Sequence, residues 1–399
     1  MLSQRMQNIA GLVSPIRAAF EEGQRLAAIH GAENVFDFSI GNPEMPAPPA
    51  VAQAAADVLA QDPLSIHGYM ADAGYDHVRA AVAADLNRRY GTAFAARNVV
   101  MTVGAAGAMN IAMYALMDPG DEVLVMAPYY PGYTSFVTNW NGTLVAVDPD
   151  PATFQPDLAD LERKITPRTK VVIVNSPNNP SGAIYSKQTA AAIGKILGEK
   201  ERQYGHAIYL ISDEPYRDLL YVDADLPSWT DCHPNTFLAY SFSKSLSLPG
   251  ERIGYLVVPD AMEQSADVLH AVRTAQGMLG FVNAPSTYQH VVARCLDCTV
   301  DLEPYRQNRS TLLTHLQQLG FQVQEPQGAF YLFVKAPGAA SPQANEDALL
   351  EAARANNVLL VGGSAFGCPG YARISFCVSP DKVRRSLPAF TAIANALIN

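Results

Sequence analysis

Hydrophobic positions follow two different patterns between about residue 50 and residue 290. In "VAQAAADVLA" (51–60) and "GYDHVRAAVAADLNRRY" (74–90), apolar residues recur at three- and four-residue spacing, which predicts helices. Other segments are short and almost wholly apolar, as is typical of strands buried on both faces. These runs are "NVVMTV", "DEVLVMA", "GTLVAVD", "KVVIVN", "HAIYLIS", "TFLAYS" and "IGYLVV". Because helical stretches such as 187–204 separate several of them, the pattern predicts an α/β domain with a mainly parallel sheet.

The two ends of the chain predict a second, smaller unit. "FQVQEPQGAFYLFV", "VLLV" and "YARISFCV" indicate strands in the C-terminal third, with helices at about 344–356 and 380–397. The N-terminal arm carries a helix and a short strand in "VFDFSIGNPEMPAPP". We therefore expect a large domain at 50–290 and a smaller α+β domain formed by residues 1–49 and 291–399 together.

Composition and charge exclude several kinds of partner. The 399 residues are 49% hydrophobic and 17% charged, and their formal net charge is −10. An acidic chain without a long basic run is a poor ligand for nucleic acid or an anionic membrane. It also lacks an apolar run of about 18 residues, the length that suggests a membrane span.

The cysteines indicate a reducing compartment. There are five of them, a sparse and odd number, so a disulfide framework is not expected and a cytoplasmic location is. Cys295 and Cys298 form one CxxC pair, but no second pair or histidine cluster accompanies them. We interpret them as two cysteines on a helix and expect no metal site.

Candidate chemistry follows the predicted strands, because ligands in open α/β sheets lie beyond the carboxyl ends of the strands. After "NVVMTV", the small residues Ala105 and Ala106 open a helix whose free N–H groups could bind phosphate, although tight helix packing is an alternative. Tyr130, in "PYYPGY", is either a platform for a planar ring or part of a packed loop. Asn179, in "SPNNPSG", either contacts a ligand or serves the turn.

The next two strand ends carry charges. Asp213 ends "HAIYLISD", and a carboxylate buried there needs a cationic partner, either a ligand or an internal arginine. Tyr216 follows it, and "SFSKSLSLPGERIGY" (241–255) places Lys244 just past a strand with Arg252 eight residues later. Together these side chains specify a ligand with a phosphate, a flat ring, a protonated ring nitrogen, a phenolic oxygen and an aldehyde. Pyridoxal 5′-phosphate has all five features.

Three of these segments carry a family resemblance. "SFSKSLSLPGERIGY", "NSPNNPSG" and "DEPYRDL" resemble the lysine, asparagine and aspartate signatures of the class I/II, aspartate aminotransferase-like enzymes of PLP fold type I. The resemblance covers nearly the whole chain and implies a seven-stranded sheet in the large domain. It implies that Lys244 holds the cofactor as a Schiff base and transfers the proton, and that Asp213 keeps the pyridine nitrogen protonated. Tyr216 and Asn179 would bond the phenolic oxygen.

The resemblance also implies which residues hold the rest of the cofactor and the substrate. Tyr130 would stack on the ring, and Gly41 and Arg373 would contact the substrate, with Arg373 on its carboxylate. In "GYMADAG", Tyr69 would reach the phosphate in the neighbouring subunit, which implies a homodimer. The implied phosphate anchors within the subunit are Ser241, Ser243, Arg252 and the Ala105 and Ala106 amides.

Side-chain specificity stays open at this point. Some aspartate-using relatives have a lysine at the position of Ala106, and Arg17 either replaces it from the N-terminal arm or is a surface residue. We expect an aminotransferase acting on aspartate or another dicarboxylic or small amino acid and a 2-oxo acid. The alternatives are another fold type I enzyme, such as a β-elimination lyase, a cyclase or an oxidative biosynthetic enzyme, and a non-catalytic PLP-sensing module.

Overall fold

The computed structural model describes residues 2–3, 6–7 and 15–397 of the chain. Its strands are β1 (Phe36–Asp37), β2 (Val99–Thr102), β3 (Glu122–Met126), β4 (Thr143–Val147), β5 (Thr169–Asn175), β6 (Tyr209–Asp213), β7 (Thr236–Ser241), β8 (Gly254–Val257), β9 (Gln322–Val323), β10 (Tyr331–Lys335), β11 (Val358–Leu359), β12 (Val361–Gly362) and β13 (Tyr371–Ser375).

The helices alternate with these strands in the first two thirds of the chain. They are α1 (Pro15–His30), α2 (Pro49–Leu59), α3 (Pro63–His67), α4 (Asp76–Tyr90), α5 (Gly104–Leu116), α6 (Gly132–Thr138), α7 (Leu158–Lys164), α8 (Lys187–Tyr204), α9 (Trp229–Cys232), α10 (Phe242–Ser245), α11 (Ser265–Met278), α12 (Ser286–Ala293), α13 (Glu303–Gln318), α14 (Pro342–Ala355) and α15 (Pro380–Leu397). Single 3₁₀ turns lie at Ala32–Asn34, Ala96–Asn98, Pro249–Glu251 and Gly363–Phe366.

The large sheet has seven strands in the order β2-β8-β7-β6-β5-β3-β4. The strands from β7 to β4 are parallel, and β8 runs antiparallel to both of its neighbours. Its central strands are buried along nearly their whole length, because helices cover both faces. The prediction of an α/β fold with a mainly parallel seven-stranded sheet and an additional smaller domain is confirmed.

Local signals explain the bounds of the helices. In α8, the hydroxyl of Ser186 accepts a hydrogen bond from the Thr189 amide at 3.0 Å, and Gly205 ends the helix with a left-handed φ of 73°. The predicted range 187–204 therefore matches the observed helix. The helix predicted at 344–356 begins earlier, at Pro342, because Ser341 caps it.

The sheet register brings the strand ends of the candidate site together. Asn175, the last residue of β5, lies beside Asp213, the last residue of β6. Asp213 in turn lies beside Ala239 in β7, and β7 continues directly into α10, which carries Lys244. Parallel strands end at the same edge of a sheet, so side chains from distant parts of the sequence meet there.

The C-terminal third forms a four-stranded antiparallel sheet in the order β12-β13-β10-β9. Two segments that were each predicted to form one strand form two strands instead. "FQVQEPQGAFYLFV" contains two separate strands, β9 and β10. "VLLV" breaks at Leu360, because β11 pairs with β1 of the N-terminal segment whereas β12 pairs with β13.

The CxxC segment also differs from its prediction. Helix α12 ends at Ala293, so Cys295 and Cys298 lie in the turn that follows it rather than on a helix. Within the described residues, no group of three or more histidine, cysteine, aspartate or glutamate side chains is arranged to hold a metal ion. No helix in the same part of the chain is long and apolar enough to cross a membrane.

Candidate active site

One cavity of about 360 Å³ lies beyond the carboxyl edge of the large sheet, where the C-terminal sheet faces it. It collects side chains from segments more than 300 residues apart in the sequence. All but one of the residues that the sequence analysis singled out for the site line this cavity; the exception is Tyr69. The lining members of that set are Gly41, Ala105, Ala106, Tyr130, Asn179, Asp213, Tyr216, Ser241, Ser243, Lys244, Arg252 and Arg373.

One end of the cavity is built for an anion. Helix α5 begins at Gly104, which has a φ of 72°, so the N-terminal turn containing Ala105 and Ala106 faces the cavity. The Arg252 guanidinium lies so close to Gly104 that a Cβ on residue 104 would come within 3.0 Å of it. The hydroxyls of Ser241 and Ser243 lie 2.7 Å apart at the same end. A helix N-terminus, a guanidinium and two hydroxyls form a suitable set of phosphate ligands.

Asp213 is a buried carboxylate with one oxygen left over. Its Oδ2 accepts a hydrogen bond from the Tyr133 hydroxyl at 2.7 Å, whereas Oδ1 is buried without a partner. Burial raises the pKa of this carboxyl to about 7, although the Tyr133 hydrogen bond opposes the rise. The alternative of an internal arginine partner fails within the described residues, because Arg217 pairs with Glu214 at 2.8 Å instead. Asp213 is therefore suited to a cationic group of a ligand.

A chain of hydrogen bonds runs along the cavity from Tyr331 to Arg373. The Tyr216 hydroxyl lies 2.8 Å from the Tyr331 hydroxyl and accepts a hydrogen bond from the Asn179 amide at 3.4 Å. The Asn179 carbonyl oxygen accepts from Arg373 at 3.0 Å. Burial raises the pKa of Tyr216 well above its ordinary value, so this phenol stays protonated and able to donate.

Lys244 lines the same cavity. It occupies α10, directly after β7, and its ammonium donates to the carbonyl of Gly41. Burial lowers the pKa of Lys244 to about 8, and the charges of Arg373 and Arg252 add to the effect. A lysine with such a pKa is present as the neutral amine to an appreciable extent near neutral pH, which makes it a nucleophile and a base.

Arg373 is one of the most deeply buried charged side chains of the protein, with 1% of its surface exposed. Its guanidinium donates to Asn179 and to the Ser39 carbonyl, and the Tyr331 ring lies 4.7 Å away. Its Nε has no partner, and no carboxylate of the described residues forms an ion pair with it. A buried guanidinium without an internal acid favours an anionic ligand.

The burial of Arg373 corrects one expectation. The segment "YARISFCV" alternates in a way typical of a half-buried strand, so this sequence pattern predicts that Arg373 and Ile374 face opposite sides. However, β13 is an inner strand of its sheet and is almost wholly buried. Ala372 and Ile374 face the core of the small sheet, whereas Arg373 faces the cavity.

Two predicted or possible contacts lie away from the cavity. Tyr69 is 94% exposed and does not line the cavity of its own chain. Arg17 is also exposed, and its guanidinium bonds Glu21 at 3.0 Å in the next turn of α1, which favours the surface interpretation. The neighbouring Ile16 lines the cavity instead.

The sequence analysis missed four side chains or groups of the site. The Asn175 side chain donates to the main-chain carbonyl of Asp213 at 2.8 Å and accepts from the main-chain N–H of Asn179 at 2.8 Å. Its position at the end of an apolar strand was a usable signal. Tyr133 lies in "PYYPGY", where the sequence does not distinguish it from Tyr130. Nothing in the sequence near Tyr331 or Ser39 indicates that the Tyr331 side chain and the Ser39 carbonyl belong to the site.

Comparisons with known proteins identify the family of this chain. The sequence profile described as aminotransferase class I and II matches residues 33–390. The aspartate/prephenate aminotransferase of Thermus thermophilus is 32% identical over 88% of this chain and 89% of its own. A crystal structure of an amino transferase from Eubacterium rectale superposes with a TM-score of 0.95 and 41% identity, covering 100% of both chains.

The aspartate aminotransferase of Thermus thermophilus with maleate superposes with a TM-score of 0.85 and 30% identity, over 98% of this chain and 99% of that one. The chain therefore belongs to the class I and II aminotransferase family. It is an aminotransferase that acts on amino acids with pyridoxal phosphate as its cofactor.

The cavity fits this cofactor on the protein's own features. Asp213 offers a buried, unpartnered carboxylate oxygen to a protonated ring nitrogen, and Lys244 offers a buried amine of lowered pKa to an aldehyde. The anion-binding end at Ala105, Ala106 and Arg252 suits the phosphate.

Proposed function

We propose that the residues lining this cavity divide the work of amino transfer as follows. Lys244 would hold the cofactor, Asp213 would pair with its ring nitrogen, and Tyr216 with Asn179 would bond its phenolic oxygen. Tyr130, 36% exposed on the cavity wall, would cover the ring face. The observation that carries this proposal is the unpartnered Oδ1 of Asp213, since no residue in the described part of the chain satisfies it.

The anion-binding end would hold the phosphate. The proposed set is the amides of Ala105 and Ala106, the hydroxyls of Ser241 and Ser243, and the guanidinium of Arg252. Their convergence at one end of the cavity supports this assignment.

When it is bound, pyridoxal phosphate supplies an electron sink that stabilises negative charge at the substrate Cα. The remaining work falls to side chains of the protein. Lys244 can accept the Cα proton as the neutral amine and return it as the ammonium, because its pKa of about 8 lies near the working pH. Asp213 stays ionised when a cation neutralises it, and Tyr216 remains a donor.

Arg373 would bind the substrate α-carboxylate. Its planar guanidinium fits a carboxylate with two parallel hydrogen bonds, and its burial would make a missing anion costly. Gly41 contributes a main-chain carbonyl to Lys244 and leaves room for the Tyr331 hydroxyl, and it would contact the substrate. The substrate would therefore be an amino acid rather than a simple amine.

For the side chain, aspartate or another dicarboxylic or small amino acid remains the proposal. The names of the relatives from Thermus thermophilus and Thermotoga maritima, which include aspartate aminotransferase, support the dicarboxylic class. The cavity wall of this chain includes Ala106 and the apolar Ile16 and Ile40, with no lysine at the position of Ala106, which supports the small and uncharged class. A panel of amino donors of both classes separates them.

A homodimer with shared sites is also part of the proposal. The segment around Tyr69 joins that around Met278, because Gln276 donates to the Asp72 carbonyl at 2.6 Å. Tyr69, Met278 and Val282 are 94%, 68% and 43% exposed, so the two segments leave apolar surface uncovered. A second copy of the chain would cover that surface and bring Tyr69 to the phosphate end of the other cavity.

The location and domain limits are proposals of the same kind. The five cysteines are all free, which supports a reducing, cytoplasmic compartment. Helix α12 shares its core with α2, which supports a large domain that extends to about residue 290. The pairing of β1 with β11 supports a small domain built from residues 1–49 and 291–399.

A single turnover tests the assignment of amino transfer against other reactions of this cofactor. The enzyme is loaded with cofactor and mixed with an amino acid, without any 2-oxo acid. We expect one equivalent of 2-oxo acid per site and no ammonia, because the amino group stays on the enzyme until an acceptor arrives. Continuous release of ammonia without an acceptor would indicate an elimination instead.

A further inference from the structure

Tyr331 lines the cavity although no sequence motif points to it. It is the first residue of β10, and it is 1% exposed. In the register of the sheet it lies opposite Ser375, two residues from Arg373. One side chain therefore reaches both the Tyr216 hydroxyl and the Arg373 guanidinium.

The hydroxyl of Tyr331 determines which way Tyr216 can donate. A phenol has one proton to donate and two lone pairs that accept. Tyr216 already accepts from Asn179, and the described part of the chain offers the Tyr331 hydroxyl no hydrogen-bond partner other than Tyr216, 2.8 Å away. When Tyr331 donates, both lone pairs of Tyr216 are occupied, so its own proton is free to point into the cavity.

The ring of Tyr331 supports the other side of the cavity. The Arg373 guanidinium carbon lies 4.7 Å from the centre of this ring and 4.9 Å from that of Phe366. Cation–π contacts of this kind hold a guanidinium in one plane. Gly41 makes room for the arrangement, since a Cβ at residue 41 would come 2.3 Å from the Tyr331 hydroxyl oxygen.

We propose that Tyr331 is a positioning residue that acts on the cofactor through Tyr216 and on the substrate carboxylate through Arg373. The hydroxyl orients and strengthens Tyr216 as a donor, and the ring fixes the guanidinium plane. The inference rests on the roles proposed above for Tyr216 and Arg373. The hydroxyl of Tyr331 would therefore affect the cofactor, and its ring would affect the binding of the substrate carboxylate, and the two effects can be separated.

Two substitutions separate the hydroxyl from the ring. Tyr331→Phe keeps the ring, and Tyr331→Leu removes both. Tyr221→Phe is the matched control, because the Tyr221 hydroxyl donates one hydrogen bond to the Ala329 carbonyl and does not line the cavity. All variants are studied as the cofactor-loaded enzyme.

The first measurement is a pH titration of the visible absorption band of the cofactor linked to Lys244. A donor to the phenolic oxygen of the cofactor competes with the proton of that linkage, so a weaker donor raises the titration midpoint. We expect Tyr331→Phe to raise the midpoint by about half a pH unit or more, the size of one neutral hydrogen bond. Tyr221→Phe leaves it unchanged. A Tyr331→Phe midpoint equal to that of the wild type would overturn the role of the hydroxyl.

The second measurement is the Kd of propionate and succinate, read from the change each causes in the same band. Tyr331→Phe should keep the Kd within about twofold, whereas Tyr331→Leu should raise it by about five- to tenfold, as for a lost cation–π contact. An unchanged Kd in Tyr331→Leu would overturn the role of the ring.

Tyr216→Phe provides a test that does not depend on the Leu variant folding. This change should raise the midpoint by itself, and adding Tyr331→Phe should raise it no further, because Tyr331 acts through Tyr216. Additive shifts would show that Tyr331 acts on the cofactor directly and would overturn the proposal. A wild-type enzyme without a cofactor band linked to Lys244 would instead overturn the proposed function itself.

Discussion

Replacing Asp213 by asparagine tests the unpartnered carboxylate at the centre of the site. Asparagine keeps the shape of the side chain and can still accept the Tyr133 hydrogen bond. It removes the negative charge that a protonated ring nitrogen would meet at Oδ1. We expect Asp213→Asn to bind the cofactor on Lys244 but to lose most of its turnover.

The magnitude follows from the burial of Asp213. Its pKa rises from an ordinary 3.8 to about 7 when no cation is present, which corresponds to a cost of roughly 4 kcal/mol for the buried charge. The positive charge of a protonated ring nitrogen offsets a cost of this size. The neutral amide of the Asp213→Asn variant would have no charge with which to keep that nitrogen protonated. The expected loss in kcat is therefore about 10²- to 10³-fold, with the larger value as the upper limit.

Glu214 provides a matched control in the next position. It is similarly buried, but its oxygens accept from Ser212 at 2.7 Å and pair with Arg217 at 2.8 Å. Glu214→Gln should lower the free energy of unfolding by on the order of 3 kcal/mol, because it leaves the buried arginine unpaired. It should leave kcat nearly unchanged, whereas Asp213→Asn should change kcat and barely change the melting temperature.

Steady-state kinetics and thermal melts of both variants, each saturated with cofactor, make the comparison. The reasoning fails if Asp213→Asn keeps kcat within tenfold of the wild type. It also fails if the two variants lose activity and stability in the same proportion, because Asp213 would then be a structural carboxylate like Glu214.

Three further experiments have defined outcomes. Arg373→Lys keeps the charge but loses the two-donor geometry, so kcat/KM for an amino acid should fall by about two orders of magnitude, or about 2–3 kcal/mol. The affinity for the cofactor should not change. A kcat/KM equal to that of the wild type would assign Arg373 a structural role. Mixing the Lys244→Ala chain with the Tyr69→Phe chain, each impaired on its own, should raise activity above the sum of the two, since one site of the mixed dimer carries neither change, and no gain on mixing would contradict shared sites. Tyr133→Phe removes a hydrogen bond that lowers the pKa of Asp213, so the acidic limb of the kcat profile should move to higher pH; a limb that stays in place would separate Tyr133 from Asp213.

Much of the site could be predicted from the sequence because it is built at strand ends. Short apolar runs located the central strands, and the rule that parallel strands end at one edge brought Asn179, Asp213 and Lys244 to the same place. The family resemblance then added Arg373, which comes from a different sheet. Asn179, Asp213 and Lys244 could be grouped because each one lies at or just past the end of a strand whose burial is visible in its composition.

The remaining features depend on packing between distant segments. The split of "VLLV" at Leu360 has no local signal, because its first half pairs with β1 near the other end of the chain whereas its second half pairs with β13. The alternation around Arg373 predicted the direction of its side chain correctly but not its burial, since residues of other segments, Asn179 and Ser39 among them, pack against the guanidinium. Tyr331 belongs to the same class: its neighbour Tyr216 is 115 residues earlier in the sequence.

The identity of the lysine that holds the cofactor is the most direct test of the account. Lys244 is buried, has a pKa lowered to about 8, and lies within one cavity with Asp213 and Arg373. Borohydride reduction of the loaded enzyme, followed by proteolysis and mass spectrometry, should place a single phosphopyridoxyl group on the peptide that contains Lys244. A label on any other lysine, or no label on a catalytically active enzyme, would contradict the account.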